Sequence, residues 1–283
     1  MYIGIIGNGF CGNATGLFKC KDITTILYDI SPERCMPLNT QFIDLIECDL
    51  IFICINTPLN NKNEYNLTSI DKIIKDLNDL NFYNIVIRST VTPEYCFSKQ
   101  VTFFPEFLTE NNWKIDFYNC STWIIGLHNN NNNNNNNNDV KNLMTLLIHI
   151  AYDNNCIKNK KIIFTTNTNA ELCKIVRNSY LATKVSFFNE IYNICKLKNI
   201  DYNNELHDII LCDERIGNSH TLVPNNNTFG FGGSCFPKDI IALAEYSKKI
   251  GNNSLILESV INRNENIDRP EQEWRDDPRS FKN

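Results

Sequence analysis

Six short apolar runs punctuate the first half of the chain: residues 2 to 7 (YIGIIG), 24 to 29 (TTILYD), 49 to 55 (DLIFICI), 84 to 90 (NIVIRST), 100 to 106 (QVTFFPE) and 121 to 127 (STWIIGL). Their length and their isoleucine, phenylalanine and threonine content predict strands, several of them buried on both faces. Segments with helical spacing lie between them, at 69 to 80 and 139 to 152, and a helix is expected from Asn13. Strands alternating with helices predict an α/β fold, a Rossmann-like doubly wound parallel sheet. Residues 167 to 200 are periodic, start with polar residues and contain neither proline nor glycine. They predict one long helix opening a second, mainly helical domain. The expected division is 1–166 and 167–283, with a further helix at 239 to 250. Asparagines 129 to 138 have no apolar face and predict a disordered surface loop.

The first run ends in Gly7-Asn8-Gly9-Phe10-Cys11-Gly12, and the second ends in Asp29, 17 residues beyond Gly12. A lone G-x-G-x-x-G is weak evidence. Strand, glycine turn, helix, strand and acid in that order predict a dinucleotide site. Gly7 permits the turn, Gly9 lets the backbone approach a pyrophosphate, Gly12 allows close helix packing, and Asp29 accepts from a ribose hydroxyl. The acid favours NAD over NADP, with Arg34 nearby as the opposing feature. Three later strands end in loops that carry Thr57 and Pro58, Ser89 and Thr90, and Glu106 to Glu110. Ligands bind at the carboxyl ends of such strands, so these loops are expected to line the site.

A net charge of -5, with no basic stripe, gives no reason to expect a nucleic-acid partner. No apolar run reaches membrane-spanning length, and the first residues run straight into a strand without a cationic leader, so a cytoplasmic protein with no membrane partner is expected. Twelve cysteines are scattered singly with no C-x-x-C pair, as reduced thiols would be. The four histidines are dispersed, and no metal is expected.

Within the predicted long helix, Lys174 and Asn178 share a face, with Glu171 one turn earlier. Taken alone, that spacing describes an ordinary solvated pair. GFGGSCFPKD at 230 to 239 is less ordinary, because Cys235 follows a run of glycines and precedes Pro237, Lys238 and Asp239. The dipole of the helix expected at 239, together with Lys238, would lower the Cys235 pKa.

The segments GNGFCG, INTP, RSTVTP, FPEFLTE, ELCKIVRNSYLATKVSFFNE, DERIGNSHTLVP and GFGGSCFPKD, in this order, resemble the UDP-glucose/GDP-mannose dehydrogenase family over most of residues 1 to 265. The resemblance implies NAD-dependent four-electron oxidation of a sugar nucleotide at C6, with UDP-glucose, oxidised to UDP-glucuronate, as the leading substrate. It implies a thiohemiacetal and then a thioester on Cys235. Lys174 would hold the oxyanion with help from Asn178, Asp239 and Thr90 would position a water, and Glu106 would act as base for thioester hydrolysis. Glu110 and Lys238 join the cofactor-binding residues. Glu106, Phe107, Leu108 and Thr109 would cradle the sugar nucleotide, together with Phe229, Gly230, Phe231 and Gly232 of loop 226 to 232. Arg215 resembles an arginine that reaches into a partner subunit's site, which implies a homodimer built on helix 167 to 200.

This sequence departs from the family in several places. Leu59 replaces a threonine, Trp123 replaces an arginine, and the stretch between Arg34 and Asp49 is short enough to reduce a flanking helix. The family also implies a third domain of ~100 to 150 residues, where this sequence has the polar NENIDRPEQEWRDDPRSFKN. Two rivals share the scaffold: a two-electron β-hydroxyacid dehydrogenase, and a protein that binds NAD or a sugar nucleotide without turnover.

Overall fold

The structure, a computed structural model, describes residues 1–128, 135–225 and 227–281. They fall into two compact units, Met1–Thr57 with Asn66–Lys174, and Pro58–Tyr65 with Ile175–Asn283.

Seven strands make up the sheet of the first unit: β1 (Tyr2–Ile6), β2 (Thr24–Tyr28), β3 (Leu50–Ile53), β4 (Ile85–Ile87), β5 (Thr102–Phe103), β6 (Trp123–Leu127) and β7 (Ile162–Thr166). Their order is β2-β1-β3-β4-β5-β6-β7. Ile5 sits opposite Leu27 on one side and Phe52 on the other. The sheet is mostly parallel, but β5 and β6 meet antiparallel at Phe103 and Gly126. β6 and β7 therefore run against the first five strands. β7 follows Lys158, Lys160 and Lys161 and corresponds to none of the apolar runs read above.

The helices of this unit are α1 (Phe10–Thr15), α2 (Thr68–Asp79), α3 (Tyr95–Lys99), α4 (Trp113–Tyr118), α5 (Asn135–Asp153) and the start of α6 (Asn167–Leu197). α1 begins at Phe10 and not at Asn13, with Gly9 as its N-cap, and a 3-10 turn extends it to Phe18. α5 begins inside the asparagine tract that was expected to be a loop. Once Val140, Met144, Leu147 and Ile148 are buried, adding turns upstream requires no new nucleus. The rest of the expected loop, 129–134, lies outside the described residues.

Helices on both faces of the sheet explain the continuous apolar strands. Leu50 and Phe52 of β3 pack into one cluster with Phe18, Phe104, Phe117 and Met144. Ile51 and Ile53 pack into another with Ile70, Ile74 and Leu77 of α2. Trp123 joins the first cluster, edge-on to Phe117 at 5.3 Å, and its indole N–H donates to the Asn159 carbonyl at 2.8 Å. An arginine there would leave a charge among aromatic rings. Only 3-10 turns, Pro32–Arg34 and Phe42–Glu47, occupy the short stretch after β2, the edge strand.

The second unit holds the remainder of α6, α7 (His207–Leu211), α8 (Phe236–Lys249) and α9 (Leu255–Arg263). Phe188, Cys195, Tyr202 and Val223 form a core cluster. The polar segment after α9 is not a loose tail. Asn264 and Ser280 are fully buried, as is almost all of Trp274, and the Leu59 N–H donates to the Ser280 carbonyl at 2.8 Å. Leu59, where the family has a threonine, is fully buried in this unit. On α6, Val176, Tyr180, Phe187, Ile194 and Leu197 remain exposed, at successive spacings of four, seven, seven and three residues, and so form a stripe along the helix.

Candidate active site

β1 leads into Gly7, whose φ is +100° and whose Cβ, if it had one, would lie 2.7 Å from the Cys54 carbonyl oxygen. A Cβ on Gly12 would sit 1.9 Å from the Gly7 carbonyl oxygen, whereas nothing lies within 4 Å of the corresponding point at Gly9. Two glycines let the turn close, and the third leaves its approach open. A cavity of about 700 Å³ lies against the turn, with Gly7, Asn8, Gly9, Asp29 and Arg34 in its wall. It sits at the carboxyl ends of β1, β2 and β3, where the strand order reverses.

Asp29 accepts the Asn8 N–H on Oδ2 at 2.8 Å and the Ser31 N–H on Oδ1 at 3.0 Å. The Arg34 guanidinium donates to the Asn8 carbonyl, and Asn8 Nδ2 donates back to the Arg34 carbonyl at 2.6 Å. Asn8 Oδ1 is buried without a partner, an acceptor that a nucleotide can satisfy. Open glycine, helix start, half-buried acid and orphaned acceptor together fit a dinucleotide. Behind them the strand-end loops are tied to one another. Thr57 Oγ1 donates to the Thr90 carbonyl at 2.6 Å, and Ser89 Oγ donates to the Ile55 carbonyl at 2.7 Å. Pro58 belongs to the second unit.

Beyond β5, the Glu106 carboxylate is buried against Lys174 of α6. Lys174 Nζ donates to Oε1 at 2.6 Å, and the Leu108 N–H donates to Oε2 at 2.9 Å. The ammonium also lies 6.0 Å from the centre of the Phe107 ring. Two buried charges compensate each other here, and either alone would be costly. Glu171 is fully buried and accepts the N–H groups of Glu94 at 2.6 Å and Cys96 at 2.8 Å, fixing the start of α3. Burial pushes its carboxyl above the usual range. The solvated pair suggested by spacing alone is therefore absent: both side chains point into the unit. Thr109 gives its hydroxyl to Asp116, and Glu110 is exposed.

In the second unit, α8 starts at Phe236, three residues before its expected start at 239, so that half-buried Cys235 is its N-cap. Ser234 Oγ lies 3.7 Å from the Cys235 sulfur. Asp239, on the first turn, is fully buried and collects three donors. Tyr65 Oη donates to Oδ1 at 2.7 Å, Lys238 Nζ to Oδ1 at 2.5 Å, and Asn178 Nδ2 to Oδ2 at 2.6 Å. The Lys238 ammonium also lies 5.0 Å from the centre of the Tyr65 ring. Lys238 thus spends its charge on Asp239, a partner that was not foreseen. Burial, then the Asp239 charge, and finally Cys235 push the Tyr65 phenol well above its usual range, so it stays a donor. Nothing in the sequence singles out Tyr65.

The glycine loop before Cys235 is held by buried amides. The Gly230 N–H donates to Asn189 Oδ1 at 3.1 Å. Asn264 takes the Phe231 N–H at 2.8 Å and returns a bond to the Phe231 carbonyl at 2.9 Å. Arg269 closes over Gly232, where a Cβ would come within 2.5 Å of its Cζ, and pairs with Glu273. Phe229 is exposed. Residue 226 of the expected cradle lies outside the described residues. Arg215 is exposed, with Nε 2.9 Å from Asp213 Oδ1. Among the described residues no three His, Cys, Asp or Glu side chains are grouped to hold a metal, and no helix is long and apolar enough to cross a membrane.

Residues 43–144 match the UDP-glucose/GDP-mannose dehydrogenase family, NAD binding domain, and residues 168–266 match that family's central domain. A UDP-glucose 6-dehydrogenase from Rickettsia bellii is 35% identical over 236 residues, covering 78% of this chain and 50% of that protein. The chain spans about half the length of the curated relatives it matches. A solved UDP-glucose dehydrogenase from Pyrobaculum islandicum superposes with a TM-score of 0.76 at 21% identity, covering 93% of this chain and 68% of its own. A 3-hydroxyisobutyrate dehydrogenase from Mycobacterium tuberculosis superposes with 0.66 at 11% identity, covering 92% of this chain and 91% of its own. At these identities the two solved structures speak for the fold alone.

Proposed function

The chain belongs to the UDP-glucose/GDP-mannose dehydrogenase family, and we propose that it oxidises a sugar nucleotide at C6 with NAD, taking UDP-glucose to UDP-glucuronate. The observation that carries this reading is the Asp239 cluster: a buried carboxylate, four residues from Cys235, that binds Tyr65, Lys238 and Asn178. A dehydrogenase making one hydride transfer has no use for a thiol beside such a cluster.

Gly7, Asn8, Gly9, Gly12 and Asp29 would hold NAD, and each NAD when bound would take up one hydride from the substrate carbon, two NAD serving in turn per sugar. An aldehyde gives up no second hydride until a nucleophile adds to its carbonyl. Cys235 supplies that nucleophile, forming a thiohemiacetal, and carries the thioester that follows. Lys174 holds the negative oxygen. Its ammonium pairs with Glu106, so an oxygen drawn to Lys174 would free the Glu106 carboxylate to take a proton from the hydrolytic water. Asn178 orients the sugar with its amide fixed by Asp239, and Asp239 and Thr90 hold the water. Phe229 to Gly232 and Phe107 to Thr109 cradle the sugar nucleotide.

The exposed apolar stripe on α6 supports a homodimer, with Arg215 offered to the partner. Sedimentation at micromolar concentration should show twice the chain mass. For the reaction itself, UDP-glucose with NAD should release two NADH per sugar. No absorbance rise with any UDP- or GDP-hexose would sink the proposal.

The second reading is a two-electron enzyme built on the same two-domain scaffold. One NADH per substrate, with Cys235→Ser at full rate, would select it. Calorimetric binding of UDP-glucose with no NADH would select a protein without turnover.

A further inference from the structure

The polar segment after α9 touches the chain on both sides of Cys235. Asn264, fully buried, brackets Phe231, taking its N–H at 2.8 Å and returning a bond to its carbonyl at 2.9 Å. The Arg269 N–H donates to the Asn264 carbonyl at 2.8 Å, and the Arg269 guanidinium lies over the next loop residue, Gly232. Its Nε donates to Glu273 Oε2 at 2.9 Å and its Nη2 to Oε1, a two-pronged pair that fixes its plane. Farther along, Ser280 Oγ donates to the Gly233 carbonyl at 3.4 Å, and the Ser280 carbonyl accepts the Leu59 N–H at 2.8 Å. Leu59 bridges to Tyr65, whose hydroxyl reaches Asp239. Phe231 to Gly233 precede Cys235 by two to four residues, and Asp239 follows it by four. One segment therefore grips both approaches to the thiol.

Two glycines of the loop face this segment for different reasons. Gly230 has a φ of +63°, which alone favours glycine, and a Cβ there would also lie 2.3 Å from Asn264 Oδ1. Gly232 has no positive φ, so its backbone does not require glycine. A Cβ on it would nevertheless come within 2.5, 2.7 and 2.8 Å of Arg269 Cζ, Nη1 and Nη2. The guanidinium is what forbids an atom there. Arg269 is not free to swing aside, because Glu273 and the Trp274 ring, 6.0 Å from Cζ, hold a side chain that is only 15% exposed.

We propose that residues 264–281 form a clasp that sets the place of the Cys235 sulfur, with Arg269 as its positioning residue, acting through Gly232. The proposal rests on the nucleophilic role given to Cys235 above. A thiol that must meet a carbonyl carbon tolerates little displacement, and a shift of ~1 Å costs about 10²-fold in rate. A Cβ 2.5 Å from Cζ stands roughly 1 Å inside ordinary carbon–carbon contact. Gly232→Ala therefore moves either the loop or the guanidinium, and both release the clasp. Arg269→Ala releases it directly. That change strands no buried charge, because Glu273 is half-exposed, so the fold survives it.

The test uses the whole chain, the single variants Gly232→Ala and Arg269→Ala, and their double. Iodoacetamide labelling at pH 7, read peptide by peptide by mass spectrometry, follows each cysteine without turnover. Cys235 should label faster in both single variants, because the loop beside a half-buried thiol is released, while Cys195, buried in the same unit, keeps its native rate. The double variant should match the singles, since both changes undo one contact. With UDP-glucose and NAD, kcat should fall about 10²-fold in each, with KM changed less. Arg269→Lys, which keeps the charge but not the fork, should fall between. Unchanged Cys235 labelling or a native kcat in Arg269→Ala, effects that add in the double variant, or equal acceleration at Cys195 would each overturn the proposal. If no sugar nucleotide turns over, the reading of the reaction fails alone, and the labelling still decides on the clasp.

Discussion

A methyl group added at Gly12 and a carboxylate removed at Asp239 probe two different ways of building a site. The cofactor turn is made of backbone, and its geometry depends on what is missing, since added atoms at Gly7 or Gly12 would strike carbonyl oxygens. The Asp239 cluster is made of side chains, and its geometry depends on what is present, with three donors converging on one buried carboxylate. A backbone site tolerates the loss of neighbouring side chains but not the gain of an atom. A side-chain site fails when any charge loses its partner.

The largest expected effect is the cleanest division between the two. Cys235→Ala should abolish carboxylate formation while leaving NAD affinity intact, measured by product chromatography and calorimetry on the same sample. UDP-glucuronate at the native rate would remove Cys235 from the chemistry. Next, Asp239→Ala leaves the buried Lys238 ammonium unpaired and should destabilise the fold by about 3 to 5 kcal/mol, read from denaturant unfolding. A loss under about 1 kcal/mol, the range of exposed pairs, would mean that the cluster is not held by charge. Gly12→Ala should cost about 1 to 3 kcal/mol of overpacking and weaken NAD binding, with the helical circular dichroism unchanged. Native NAD affinity in that variant would show that the turn has slack and break the contrast drawn here. Tyr65→Phe removes one of three donors and should cost about 1 kcal/mol in unfolding. A loss matching that of Asp239→Ala would make Tyr65, and not Lys238, the main support of the carboxylate.

The same contrast sets how much was legible in the sequence. Gly7, Gly9, Gly12 and Asp29 are neighbours or near-neighbours along strand, turn and strand, so their spacing states their geometry. β1 to β4, α2 and α6 were readable because their apolar periods are long and unbroken. The direction of β6 was not, because alternation carries no sign, and β7, as long as β1, lay too close to lysines to stand out. Lys174, Asn178, Glu106 and Asp239 were all named from the resemblance, but the pairings of Lys174 with Glu106 and of Asn178 with Asp239 were not, because each partner comes from a distant segment. Glu171 looked solvated because spacing along one helix says nothing about the backbone amides of α3 that bury it. The polar segment after α9 hid Asn264 and Arg269, whose roles appear only where they touch Phe231 and Gly232.

Tyr65 and Asp239 are separated by 174 positions in the chain, and the segment Pro58–Tyr65 belongs to a unit whose other residues all follow Lys174. At synthesis rates of roughly 5 to 20 residues per second, Tyr65 waits on the order of 10 to 35 s for Asp239 to be made. Ser280, which receives the Leu59 N–H, comes later still. The second unit therefore closes late, around a piece made early, and its last contacts are among the most non-local in the chain. Until then Leu59 stands uncovered, an apolar side chain that a nascent-chain chaperone can hold.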